Sequence, residues 1–259
     1  MTELTAQADY RPKPGAAPLA SMIRAQANME LKLLLRNGEQ VMLTLLFPLM
    51  LEFFFNLPLF YSLPGQRRID FVVPSILALS VMSAAFTGLA IGTGFERKYA
   101  VLKRLGATAL PRSALLAGKT IAVFALELIQ MTLLCGVGFA LGWHPGGDPA
   151  LALLLITVAT AAFGGLGLLL AGTLRAEVTL AAANIVWLVL LFCGGIAIPL
   201  SKYPHAVAEV LRILPSAALS EGLHAAFDSA AAFPLRALLT ILFWGVVSLP
   251  LAARYFRWE

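Results

Sequence analysis

The chain has 259 residues, of which 59% are hydrophobic and 13% charged, with a mean hydropathy of +0.84. Soluble domains carry roughly 25% charged residues, so a water-soluble globule is excluded. The net charge of +5 fits the lysine and arginine excess of cytoplasmic loops better than nucleic-acid binding, and no nucleic-acid partner is expected.

Residues 1–18 are polar and proline-containing, punctuated by acids, and have no apolar core before a small-residue cleavage site. They do not resemble a secretory signal and read as a disordered cytoplasmic tail, leaving 19–259 as one membrane domain. Next, Arg24, Asn28, Lys32 and Arg36 recur at every fourth position, with Met22, Ile23, Ala27, Leu33 and Leu34 largely on the other side. That pattern predicts an amphipathic helix lying on the inner leaflet, with Arg24, Lys32 and Arg36 at the lipid headgroups. Asn37-Gly38 separates it from the first apolar run.

Six apolar runs follow, at about 40 to 61, 72 to 95, 113 to 142, 150 to 174, 179 to 200 and 235 to 256. Each has the ~20 residues needed to cross a bilayer as a helix. With the N-terminus inside, fourteen lysines and arginines fall on the cytoplasmic side and five outside. This positive-inside bias predicts both termini in the cytoplasm, and a bacterial plasma membrane is the expected location. The fold class is therefore all-α: a polytopic protein with six transmembrane helices and an N-terminal interfacial helix. Gly142 to Pro149 makes a tight outer turn. The stretch from Pro199 to Pro234, broken at Pro204 and Pro215, predicts two short amphipathic helices at the outer surface before the last span. Cys135 and Cys193 lie inside apolar runs, where free thiols behave as small hydrophobes, and no metal site is expected.

Between the second and third runs lies Phe95-Glu96-Arg97-Lys98-Tyr99-Ala100-Val101-Leu102-Lys103-Arg104-Leu105-Gly106. It reads as a short charged cytoplasmic helix ending at a glycine suited to a left-handed cap. Its apolar edge, Val101, Leu102 and Leu105, suggests docking into a partner's groove over a solvated loop.

Here the chain resembles a family, the membrane subunits of type-2 ATP-binding-cassette exporters for drugs, lipids and polysaccharides. The resemblance rests on the N-terminal amphipathic helix, on Glu96-Arg97-Lys98 to Leu105-Gly106-Ala107-Thr108, and on Pro111-Arg112 through Gly118-Lys119. It extends to the outer stretch Gly194-Gly195-Ile196-Ala197-Ile198-Pro199-Leu200 with Tyr203-Pro204 and Leu214-Pro215-Ser216, and covers roughly 19 to 259. It implies that the segment after the second span is a coupling helix seated in an ATPase subunit, with Glu96, Arg97, Lys103 and Leu105 carrying the coupling. It further implies a second permease copy or homologous permease, and ATP and Mg bound in the partner ATPase; no cofactor is expected in this chain.

The residues agree that energy must arrive from elsewhere. A phosphate-cradling loop needs G-x-x-x-x-G-K-[ST] after a strand; the near miss Ser113 to Thr120 starts with serine at the mouth of a membrane helix. Lys119 reads as a headgroup contact made by a long side chain. His144, His205 and His224 lack metal-ligand spacing, so an intramembrane enzyme is not expected.

Within the spans, Glu52 and Glu127 are conspicuous, because a mid-membrane carboxylate costs about 2.5 to 3.5 kcal/mol on insertion scales. With Asn56 and Asn184, they are candidates for the translocation path. The alternative is a structural role as protonated acids bonded to a neighbouring helix, with Asn184 as one possible mate. Gly88-x-x-x-Gly92, Gly164-Gly165-x-Gly167 and Gly194-Gly195 read mainly as helix-packing points. Phe53, Phe54, Phe55, Phe60 and Tyr61 read as an aromatic run facing lipid or packing within the first span. The expected function is export of a hydrophobic or amphipathic molecule. The alternative is a proton- or cation-coupled secondary transporter using Glu52 or Glu127, although the expected inverted repeats are not evident.

Overall fold

The computed structural model describes residues 17–57 and 67–256, and among them there are helices and short connectors but no strand. Helix α1 (Leu19–Arg36) stops at Asn37, and α2 (Gly38–Asn56) follows at once. Helices α3 (Arg68–Val81) and α4 (Leu89–Lys98) form one continuous span through a π-helical segment, Met82–Gly88. Helix α5 (Val101–Gly106) is short; α6 (Arg112–Ala140), α7 (Pro149–Thr173) and α8 (Ala176–Cys193) are long. After a 3-10 turn at Leu200–Lys202 come α9 (His205–Leu211), α10 (Pro215–Phe227) and α11 (Leu235–Tyr255).

Five of these helical stretches are long and apolar enough to cross a membrane: Arg68–Lys98, Arg112–Ala140, Pro149–Thr173, Ala176–Cys193 and Leu235–Tyr255. The first expected span, 40 to 61, is only partly covered. Its apolar helical part is Thr44–Asn56, shorter than a span, and residues 58 to 61, with Phe60 and Tyr61, lie outside the described residues. Phe53, Phe54 and Phe55 are exposed on α2.

Helix α7 is the centre of the bundle. It packs along α11 and also meets α4, the π segment and α10, and its small residues let neighbours approach. A Cβ built on Gly167 would lie 2.5 Å from the carbonyl oxygen of Phe86 in the π segment. Replacing Gly167 with alanine is expected to cost about 1 to 3 kcal/mol, the usual range for overpacking, because the obstacle is backbone and cannot rotate away. Thermal unfolding of the purified variant checks this. Of the other glycines read as packing points, Gly165 meets Ser248 and Gly194 meets Ser216, whereas Gly88 and Gly92 make no close approach to another helix. That pair lines a cavity instead.

The stretch from Pro199 to Pro234 departs from expectation. Helix α9 is largely exposed, but α10 is not a surface helix: Pro215 through Ser220 are buried, and it packs against α11, α7, α3 and α8. Its small residues Ala217, Ala218 and Gly222 reflect that burial, which amphipathicity alone did not reveal. His224 on α10 bridges to α3. Its Nδ1 lies 2.7 Å from the Ser220 carbonyl and its Nε2 3.2 Å from that of Phe71. Burial holds the His224 imidazole below its ordinary pKa. The unfolded chain therefore takes up this proton first as pH falls below about 6.5, and stability is present above that value and lost below it. The loss of thermal stability between neutral and mildly acidic pH is expected to be smaller in His224→Gln.

Candidate functional site

The end of the bundle bearing Lys98 and Arg112 gathers most of the chemistry. Lys119, about two turns into α6, is 2% exposed. Its Nζ lies 2.8 Å from Glu30 Oε1 of α1 and 2.6 Å from Glu96 Oε2 of α4, and it donates to Glu96 Oε1 at 2.8 Å. Gln26 Nε2 adds a 2.7 Å bond to Glu30 Oε1. Lys119 is thus not a headgroup contact; it is a buried ammonium tying together three helices. A charge so placed is stable only when paired and hydrogen-bonded.

Lys119, Glu30 and Glu96 line a cavity of about 380 Å3 between α1, α2, the α3–α4 span and α6. The π segment shapes one wall: Ser83, Ala84 and Gly88 line it, followed by Gly92 and Thr93. Pro48 of α2 shapes another. Proline has no N–H to bond the carbonyl four residues back, and Gln130 Nε2 of α6 supplies a 2.7 Å bond to that Thr44 oxygen. The packing face of α1 is Gln26, Ala27 and Glu30, while Leu33 and Leu35 are exposed alongside Arg24, Lys32 and Arg36. The buried stripe of this helix is therefore partly polar, contrary to a simple division into basic and apolar faces.

The segment 95 to 106 is not one helix. Phe95 to Lys98 complete α4, Ala100 adopts a left-handed conformation with φ of 57°, and α5 begins at Val101. The left-handed residue precedes α5; Gly106 lies within the helix, which ends at Ala107 in a right-handed conformation. Of the residues expected to couple, Glu96 faces Lys119, and Arg97 donates to the Leu174 carbonyl at the end of α7. Lys98 pairs with Glu177 of α8. Leu102 is fully buried and Leu105 packs against the core, so Val101, Lys103 and Arg104 make the exposed edge of α5.

The four candidates for a path are scattered. Glu52 is fully buried beside Gly138, whose Cβ would sit 3.2 Å from Glu52 Oε1; neither carboxylate oxygen has a hydrogen-bond partner among the described residues. Asn56, at the end of α2, accepts a 3.2 Å bond from Arg68 at its carbonyl. Glu127 is buried and accepts from the Thr160 hydroxyl of α7, so its mate is Thr160. Asn184 is exposed and its amide donates to the Leu180 carbonyl of its own helix at 2.9 Å. None of the four lines the cavity. The sequence reading missed Glu30, Gln26 and Gln130. The available signal was Gln26 and Glu30 at i and i+4 on α1, off the basic stripe and able to face a lysine.

The described residues hold no group of three histidines, cysteines or acids fit for a metal ion. The model of the ABC-2 type transporter family matches residues 23–227, from α1 through α10. The chain belongs to that family, and so is a membrane permease subunit of an ATP-binding-cassette transporter, a class that pairs with a separate ATPase subunit. It is 24% identical over 204 residues to the "Putative transport permease YvfS" of Bacillus subtilis (strain 168), covering 76% of this chain and 81% of that relative.

Proposed function

We propose that this permease is one half of an exporter that moves a hydrophobic or amphipathic molecule, of the drug, lipid or glycolipid class, out of the cytoplasm or inner leaflet of a bacterial plasma membrane. It pairs with a second permease copy or a homologous permease, and two ATPase chains bind ATP and Mg and supply the energy. Helix α2 belongs to the first of six spans, both termini are cytoplasmic, and α1 rests at the inner leaflet.

The observation that carries the reading is α5 and its attachments. It hangs from the end of the second span by a two-residue joint, with an exposed edge of Val101, Lys103 and Arg104 suited to a cleft on a partner. The joint lies beside fastenings in several directions: Arg97 to the end of α7, Lys98 to α8, and Glu96 through Lys119 to α6 and α1. A push on α5 is delivered to four helices at once. Packed elements move as units instead of deforming continuously, so such a push tilts the spans against one another.

The test is reconstitution in vesicles, with and without the partner ATPase. ATP-dependent export that requires both chains supports the reading. Transport by this chain alone, driven by a proton gradient and lost in Glu52→Gln or Glu127→Gln, overturns it in favour of a secondary transporter.

A further inference from the structure

Among the described residues, the lining of the cavity beside Lys119 carries an unbalanced charge. Glu30 and Glu96 both lie within ion-pair distance of one ammonium, so two carboxylates share a single positive charge. Gln26 adds a neutral donor to Glu30 and does not change the sum. Inside a low-dielectric bundle such an excess attracts a cation strongly.

A second observation points the same way. Thr93 and Gln130, 1% and 2% exposed, line the cavity, yet Thr93 Oγ1 and Gln130 Oε1 have no hydrogen-bond partner among the described residues. Buried polar atoms in folded proteins are nearly always partnered, and exceptions call for an occupant or a function. Gln130 Oε1 only accepts, as the carboxylates do, and the Thr93 hydroxyl can accept as well as donate, so a donor-bearing occupant can satisfy each of them. The remaining wall is apolar, with Leu34, Leu79, Leu89, Val123 and Leu126. Exposed Leu33, Phe47 and Gly92 mark a mouth, and the volume of about 380 Å3 is that of a small-molecule site.

The geometry points to this cavity as a binding site for an amphipathic monocation that bears N–H donors: its ammonium head sits at Glu96 and Glu30, with Thr93 about one turn before Glu96 on α4, and its apolar body runs along the leucine wall toward Gln130. The inference rests on the transport reading above and names a substrate class for it. The same chemistry belongs to a diffusible amine and to the amine headgroup of a membrane lipid.

The test uses the full chain with its ATPase partner in phosphatidylcholine nanodiscs, whose headgroup ammonium carries no N–H. The probe is dansylcadaverine, an apolar fluorophore on a primary amine, with its N-acetyl derivative as the neutral twin. Saturable binding is expected, at least tenfold weaker for the acetylated twin and at least tenfold weaker in Glu96→Gln. Gly92→Leu fills the mouth without touching a charge. A Cβ there meets no atom within 4 Å, so the added side chain starts in open space, and this variant is expected to lose probe binding even if Glu96→Gln fails to fold. Equal binding of the acetylated probe, or unchanged binding in Gly92→Leu, overturns the inference. Displacement by added phosphatidylethanolamine assigns the site to a lipid amine, and binding that persists assigns it to a diffusible one. If the ATPase co-purifies and drives export but the probe does not bind, this inference fails alone. If the probe binds but transport needs no ATPase, the proposed function fails alone.

Discussion

Lys119→Met is expected to destabilise the chain by about 3 to 5 kcal/mol, the range for removing one partner of a buried ion pair. The ammonium is 2% exposed and has two carboxylates within 2.8 Å, so its loss leaves like charges facing each other with no counter-ion. Methionine matches the lysine stem in length, which separates the loss of charge from the loss of packing. Thermal or denaturant unfolding of the purified variant should show a large drop in the midpoint. Adding Glu30→Gln and Glu96→Gln to the methionine should recover most of it, because neutral partners need no counter-ion. If the single substitution is tolerated as well as the triple, the cluster does not hold α1, α4 and α6 together.

The second large effect is expected at α5. Val101→Asp with Lys103→Glu places negative charge on the exposed edge and leaves Leu102, the fully buried anchor, in place. The helix should still form and dock on its own bundle. Interface residues that dominate binding typically cost 2 kcal/mol or more when lost, roughly a thirtyfold weakening. ATPase co-purification and substrate-stimulated hydrolysis should both fall by about that factor, with the unfolding midpoint of the permease unchanged. Normal association and coupling in this double variant would place the contact elsewhere.

Much of the architecture is legible in the sequence because apolar runs and their breaks obey bilayer length. Asn37, the Gly142 to Pro149 turn and Arg175 all fall where helices end. What periodicity misses is where a helix faces protein instead of lipid, since both neighbours favour apolar residues. Helix α10 is short and its small residues look unremarkable in sequence, yet they let it sink among α3, α7 and α11. The Lys119 cluster was hidden for another reason. Lys119 beside an inner boundary reads naturally as a side chain reaching for headgroups, and only the approach of α1 and α4 gives it carboxylates. The scattering of Glu52, Glu127 and Asn184 is tertiary information as well. Each is a rare residue in an apolar run, and nothing in spacing along one chain says that Glu127 meets Thr160 while Asn184 turns back on its own helix.

The π segment at Met82–Gly88 bears on chain length itself. A π turn holds one residue more than an α turn, so everything after it is rotated relative to an uninterrupted helix. Excising one amino acid there would swing the last turns of the span through about 100°, carrying Glu96 off its lysine and Arg97 off the Leu174 carbonyl. Relatives that cross this stretch one residue shorter must find another way to neutralise that ammonium, whereas gaps in the surface loops leave it untouched.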